Sequence, residues 1–203
     1  MRRILTSALC AVAILAVFPG CAANSARVAG PYTGGEATAT VQRDVAGSLE
    51  KTAAARAVLV SDPAKAEALL RVALDLDLYN GVAHNNLGVL FLHAGKLYES
   101  AQEFEWARKL LPGHPDPRLN LAIALQRADK PNEALEAARS ALEVQPGHLP
   151  AIQAVAVIQV QAGLVDEKTS DLLASIVERC QEAEWRDWAT EARLRIEAKK
   201  AAQ

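Results

Sequence analysis

The sequence predicts an all-α protein in which short helical hairpins repeat along the chain and stack as a solenoid. Two stretches of the sequence, 85–114 and 120–148, share one apolar pattern, and their equivalent residues are thirty-four positions apart. Each stretch contains two sets of apolar residues at helical spacing, with a break between them. Self-similarity at such a period is typical of repeat architectures in which each unit packs on its neighbours.

The composition fits a helical protein and disfavours a nucleic-acid partner. Of the 203 residues, 51% are hydrophobic, and 22 basic residues nearly balance 24 acidic ones, for a net charge of −2. Binding to nucleic acid depends on a concentration of Lys and Arg that neutralises phosphates. No such stripe of basic residues interleaved with aromatics occurs, so we expect no nucleic-acid binding.

The first twenty residues have the features of an export signal. Arg2 and Arg3 precede an apolar run over 4–18, and this order predicts a signal peptide over 1–20. The run is shorter than the ~20 apolar residues that a membrane-spanning helix needs. Cys21 follows Gly20, and this junction resembles the lipobox of bacterial lipoproteins. The resemblance implies that Cys21 is lipidated and anchors the chain; an ordinary signal peptide with an incidental Cys is the alternative.

A flexible tether is predicted over 21–46, which is rich in Gly, Ala, Ser and Thr and has no helical periodicity until its end. About 25 such residues reach on the order of 25 to 30 Å, enough to hold a domain clear of a membrane surface. In lipoproteins of cells with two membranes, Asp after the lipidated Cys favours the inner membrane. Ala22 stands there instead, so the resemblance implies the periplasmic side of the outer membrane.

The repeats provide the family resemblance. When the two stretches are aligned, the positions that pack in a helical hairpin coincide: Leu87 with Leu121, Gly88 with Ala122, Phe91 with Leu125, Gly95 with Asp129, Phe104 with Ala138, and Ala107 with Ala141. This pattern resembles the tetratricopeptide repeat (TPR). The resemblance implies a TPR solenoid of three to four repeats over 47–183, with the clearest repeats at 81–114 and 115–148.

Weaker repeats flank the clear ones. Asp62 and Pro63 predict the N-cap and first turn of a helix in the preceding repeat. In the following repeat, a first helix ends at Gly163 and an insertion over 164–169 displaces the second. A capping helix is predicted over 184–203, because its apolar residues recur at helical spacing beside many charged ones. Its tryptophans, at 185 and 188, pack on the preceding helix in this interpretation; an aromatic binding site is the alternative.

The resemblance implies a peptide-binding groove lined by the first helices of the repeats. The residues that correspond to groove positions are Asn85, Asn86, Val89, Leu92, His93, Asn120, Ile123, Gln126, Arg127 and Val157. Asn86 and Asn120 each precede the Leu of their helix, and some TPR proteins use Asn at this place to hold a peptide backbone. An amide offers both a donor and an acceptor. The alternative is that these amides only satisfy neighbouring backbone groups.

Catalytic and metal-binding patterns are not evident in the sequence. The four histidines form no H-E-x-x-H pair and have no cysteine at zinc spacing, and there is no phosphate-binding loop or nucleophile elbow. Cys180 is expected to be a buried structural cysteine. We therefore expect a protein without enzymatic activity, cofactor or metal.

Two classes of function remain open. The first is a lipid-anchored adaptor or scaffold of the bacterial cell envelope that binds a protein or peptide partner. The second is a structural repeat protein that self-associates through its ends. A regulatory subunit of an envelope hydrolase, or of a pilus or secretion assembly system, is a further alternative to the first.

Overall fold

The structure is a computed structural model that describes residues 43–202. The predicted signal peptide, Cys21 and most of the predicted tether lie outside the described residues. The described part is entirely helical in its regular structure, which confirms the all-α prediction. Its helices are α1 Val45–Val58, α2 Pro63–Leu76, α3 Gly81–His93, α4 Leu97–Leu110, α5 Asp116–Arg127, α6 Pro131–Val144, α7 Leu149–Ala162, α8 Thr169–Arg179 and α9 Ala183–Ala201. No helix within 43–202 combines the length and the apolarity needed to cross a membrane.

One compact unit within the described residues ends at Asn80 and consists of the hairpin α1–α2. The Asp44 side chain caps α1 by accepting a hydrogen bond from the Gly47 N–H at 2.8 Å. Asp62 caps α2 in the same way through the Lys65 N–H at 3.0 Å, and Pro63 occupies the first turn, as predicted. Both helices of this hairpin are therefore started by local sequence signals.

A bidentate ion pair joins the residues that flank this hairpin. The Arg43 guanidinium donates to both carboxylate oxygens of Asp77, at 2.7 and 3.0 Å, and it also lies 4.8 Å from the centre of the Tyr79 ring. Asp77 is buried, and its hydrogen bond raises the pKa of Arg43 further. Such bidentate pairs are geometrically specific. They fix the start of α1 against the end of α2.

The second compact unit begins at Gly81 and contains three hairpins, α3–α4, α5–α6 and α7–α8, followed by α9. The turn inside each hairpin places one residue in the left-handed region: Gly95 at φ 74°, Asp129 at φ 57° and Gly163 at φ 69°. These residues are thirty-four positions apart. The repeat predicted from the sequence is therefore also a repeat of backbone conformation.

Close packing inside the first of these hairpins depends on a residue without a side chain. A Cβ atom at Gly88 of α3 would lie 2.6 Å from Cε1 of Phe104 on α4, which is fully buried. The Ser100 hydroxyl donates to the Gly88 carbonyl at 2.9 Å. The two helices can approach this closely because position 88 is glycine.

The last hairpin and α9 close the unit as the sequence predicts. Helix α8 begins thirty-eight residues after α6 begins, so four extra residues precede it. Helix α9 buries Ala189 and Ala192 against a core that includes Leu173 and Ile176. Its tryptophans, Trp185 and Trp188, pack against the same core and meet edge to face, with ring centres 5.6 Å apart. The packing interpretation of these tryptophans is confirmed.

Candidate protein-interaction surface

The first helices of the three hairpins lie side by side. Helix α3 contacts α5, and α5 contacts α7, in addition to the contacts that each makes with its own hairpin partner. The sequence-predicted groove residues from Asn85 to Val157 all belong to these three helices. The structure therefore brings the predicted groove positions together on one row of adjacent helices.

Polar side chains connect neighbouring first helices at a constant sequence offset. Asn120 Nδ2 donates to Asn85 Oδ1 at 3.0 Å, and Gln126 Nε2 donates to Gln161 Oε1 at 2.7 Å. Arg127 Nη1 donates to the Leu92 carbonyl at 3.2 Å. Each bond joins residues thirty-five positions apart, one more than the repeat period. We call this set of bonds the lateral ladder.

The apolar groove positions are buried in the structure. The exposed fractions of Val89, Leu92, Ile123 and Val157 are 8%, 1%, 2% and 0%, respectively. His93 is exposed at the end of α3, and Arg127 is exposed at the end of α5. The use of the buried positions as the floor of a peptide groove stays a prediction.

The two asparagines singled out in the sequence have different surroundings. Asn120 is buried, and its amide nitrogen is engaged with Asn85. Asn86 is half-buried, and its Nδ2 is a buried donor without a hydrogen-bond partner among the described residues. An unsatisfied buried donor is costly, so a peptide carbonyl that reached Asn86 would relieve that cost. The geometry therefore assigns the open hydrogen-bonding capacity to Asn86, and it assigns Asn120 to the lateral ladder.

A polar and aromatic cluster beside these helices was not identified from the sequence. His84 of α3 is buried, its Nδ1 lies 2.6 Å from Glu103 Oε2 of α4, and its ring stacks on Trp106 with centres 5.8 Å apart. Trp106 is partly exposed, and Lys109 lies over its ring. The pairing of His84 with a carboxylate nineteen residues away has no local sequence signal.

The predicted structural cysteine has the expected surroundings. Cys180 is buried and forms no disulfide, and Gln153 Nε2 donates to its Sγ at 3.1 Å. Burial raises the pKa of the Cys180 thiol, while the hydrogen bond from Gln153 partly opposes that rise. A raised pKa disfavours the nucleophilic thiolate. Within the described residues, no group of three or more His, Cys, Asp or Glu side chains could hold a metal ion.

Comparison with known proteins supports the fold and goes no further. No family model matches the sequence, and no curated protein matches it. The first TPR of Spaghetti (RPAP3), solved with a bound HSP90 peptide, is similar at 18% identity and a TM-score of 0.57, over 61% of this chain and 98% of that one.

Two further solved structures are similar to the same degree. YrrB, described as a TPR protein with an unusual peptide-binding site, is 20% identical with a TM-score of 0.58, over 75% of this chain and 92% of that one. A crystal structure of MamA is 17% identical with a TM-score of 0.56, over 79% of this chain and 84% of that one. The chain therefore has a TPR-like fold, as the sequence predicts.

Proposed function

We propose that this protein is a non-enzymatic adaptor of the bacterial cell envelope, which binds an extended peptide or a protein segment along its row of first helices. A TPR-like fold supports this role, because stacked hairpins present a continuous surface of adjacent helices. Two of the similar structures support it as well, since one is bound to a peptide and another is described by its peptide-binding site.

The unsatisfied amide of Asn86 is the observation that carries the proposal. Its Nδ2 is buried and has no hydrogen-bond partner within residues 43–202, and it is next in sequence to Asn85, which joins Asn120 in the lateral ladder. A peptide carbonyl would satisfy this donor. Polar side chains at the ends of the same helices, among them the exposed Arg127, add contacts that fix the direction of the bound peptide.

Peptide selection tests this proposal. The whole chain is panned against a library of random ten-residue peptides, and affinities of the selected peptides are measured by fluorescence anisotropy. Asn86→Ala is expected to weaken binding by about fivefold, since a net hydrogen bond contributes roughly 1 kcal/mol. Asn132→Ala, which removes an exposed amide on α6, is the matched control and should bind as the wild type does. Equal binding by both variants would contradict the role of Asn86.

Attachment to the membrane is the second part of the proposal. A lipid on Cys21 would hold the adaptor at the envelope, on the periplasmic side of the outer membrane, with the tether setting its reach. Cells that express the wild type and Cys21→Ser are labelled with a palmitate analogue and fractionated. The substitution should abolish both labelling and membrane retention. A labelled or membrane-bound Cys21→Ser protein would refute lipid anchoring at this residue.

A further inference from the structure

A cleft of about 620 Å³ lies between α6 and the last hairpin, where α6, α7, the segment before α8 and the start of α8 meet. Its apolar walls include Leu142, Val155 and Leu172. Arg139 of α6 and Asp166 of the inserted segment both line it, and their side chains form an ion pair at 2.5 Å. None of the lining residues belongs to the predicted groove, so the cleft is a separate feature.

One residue that lines the cleft, Gln159, occupies the repeat position that holds an aromatic ring in another repeat of the same chain. Phe91, Leu125 and Gln159 are equivalent residues, each thirty-four positions after the previous one. Phe91 is buried in α3, whereas α7 offers the amide of Gln159 at the same place. Loss of a ring from a packed hairpin leaves space unless the surroundings collapse. A smaller cleft of about 460 Å³ lies one repeat earlier, and Leu125 lines it.

The Gln159 side chain has an unsatisfied acceptor. It is fully buried, and its Nε2 donates to the Leu164 carbonyl at 3.4 Å. Because that neighbour is an acceptor, the amide orientation is fixed with the nitrogen toward it. The Oε1 atom is left buried without a hydrogen-bond partner among the described residues. A donor from outside the chain would remove the cost of this unsatisfied acceptor.

We infer that the cleft binds a compact aromatic ring that carries one N–H or O–H donor, such as an indole or a phenol. The ring lies beside Gln159, the equivalent of Phe91, where the apolar walls contact its faces and its donor bonds to Gln159 Oε1. The ring belongs either to a Trp or Tyr side chain of a partner or to a free aromatic compound. These two sources share the same recognition chemistry.

Access to the acceptor depends on the ion pair that joins the two walls. Gln159 has no exposed surface, whereas the Arg139 and Asp166 side chains are 49% and 39% exposed. Exposed ion pairs contribute little to stability, so this one opens at small cost. Its opening separates α6 from the inserted segment and admits the ring. Arg139→Gln removes the ion pair and is therefore expected to speed binding.

Titration calorimetry with the whole chain tests the inference. The probes are indole with its isostere indene, which lacks the N–H, and p-cresol with toluene. Indole and p-cresol are expected to bind about tenfold more tightly than their counterparts, the effect of one hydrogen bond to an unsatisfied buried acceptor. Gln159→Leu should weaken indole binding at least tenfold. Gln145→Leu, which removes an exposed amide just after α6, is the matched control and should bind as the wild type does.

Further measurements separate the two sources and control for folding. A short acetylated peptide with one Trp is titrated in parallel with its Phe counterpart. Tighter binding of the Trp peptide than of indole assigns the site to a partner side chain. Binding of indole alone assigns it to a free compound.

A second variant controls for folding. Leu142→Phe fills the cleft while Gln159 is retained, so it should also abolish binding if Gln159→Leu fails to fold. No binding by any probe, or equal binding of indole and indene, would overturn the inference. Neither result would affect the Asn86 test.

Discussion

The hairpins α3–α4 and α7–α8 share a backbone plan but differ at the repeat position that Phe91 occupies. Both turn through a left-handed glycine, Gly95 or Gly163, at nearly the same φ. In α3–α4, Phe91 and Phe104 are buried and the second ring lies against Gly88. In α7–α8, Gln159 replaces the first ring, four residues are inserted before α8, and a cleft lies between this hairpin and α6.

Some features recur in all three hairpins of this unit, whereas others diverge. The left-handed turn and a small residue on the first helix, Gly88, Ala122 or Ala156, are kept, while position 91 and its equivalents change from Phe to Leu to Gln. A hairpin can therefore keep its turn and its small residue while the side chain at this position changes in polarity. The following substitutions test how much each kind of position contributes to stability.

Among the substitutions at position 91 and at its equivalent, position 159, we expect the largest effect on the free energy of unfolding. Phe91→Gln places an amide in the filled hairpin and is expected to lower the free energy of unfolding by about 3 to 5 kcal/mol, as for other large core truncations. Gln159→Leu removes an unsatisfied acceptor but also the hydrogen bonds from this side chain to the Leu164 carbonyl and to Asp166, so the two effects oppose each other and the free energy of unfolding should change by less than about 1 kcal/mol. Urea unfolding followed by circular dichroism measures both. Equal losses from the two substitutions would contradict the difference between the two positions.

The contact between Gly88 and Phe104 predicts a destabilising Gly→Ala change inside a helix. Alanine favours helix formation, but its Cβ would lie 2.6 Å from the Phe104 ring. We expect Gly88→Ala to cost about 1 to 3 kcal/mol through overpacking. The double variant with Phe104→Leu should recover part of that loss. Gly113→Ala, where no atom lies within 4 Å of the new Cβ, is the control; a similar loss there would rule out the ring contact as the cause.

The turns predict effects of opposite sign at equivalent residues. Gly95→Ala places a Cβ at φ 74° and should cost about 1 kcal/mol. Asp129→Gly removes the backbone strain of a non-glycine residue at φ 57° and should raise the stability. The gain should be smaller than the loss from Gly95→Ala, because Asp is tolerated in the left-handed region. Thermal unfolding of both variants, with Gly163→Ala as a second test of the glycine turn, checks the signs. Two losses would show that side-chain contacts outweigh backbone strain.

Asp166 should have the smallest effect, and one that depends on pH. Burial opposes its ionisation, but hydrogen bonds from Thr169 and Gln159, together with Arg139, outweigh burial and lower the pKa of Asp166. Its stabilising contribution is therefore present above the unfolded pKa, about 4, and is lost as the pH falls through the lower folded pKa.

The stability of Asp166→Asn, relative to the wild type, measures this contribution between pH 7 and pH 2. The loss should be under about 1 kcal/mol near neutrality, because the pair is half-exposed, and it should shrink below about pH 4. Glu178→Gln, an exposed charge removal on α8, is the matched control. A loss that grows with acidity would contradict the predicted direction.

The sequence predicts features that depend on local chemistry or on period. The N-cap Asp62 and the first-turn residue Pro63 can be identified from the sequence because they act within one helical turn. Alignment with Gly95 identifies the turn at Asp129, although that residue is not glycine. The His84–Glu103 pair and the cleft at Gln159 depend on contacts between helices. Periodicity shows which residues are equivalent, but it does not show which atoms find partners.

The lateral ladder has a consequence for the order of the repeats. When residues are numbered from the start of their own repeat, each bond joins one position of a repeat to the following position number in the next repeat. Asn85, at the fifth position, is joined to Asn120, at the sixth, and Gln126, at the twelfth, is joined to Gln161, at the thirteenth. The repeat at 81–114 has asparagine at its fifth and sixth positions but Leu92 at its twelfth, whereas the repeat at 115–148 has Leu119 at its fifth and Gln126 at its twelfth. The two repeats therefore present different side chains at the joined positions. In a shuffled or duplicated array, these positions would bring together residue pairs that differ from those of the lateral ladder.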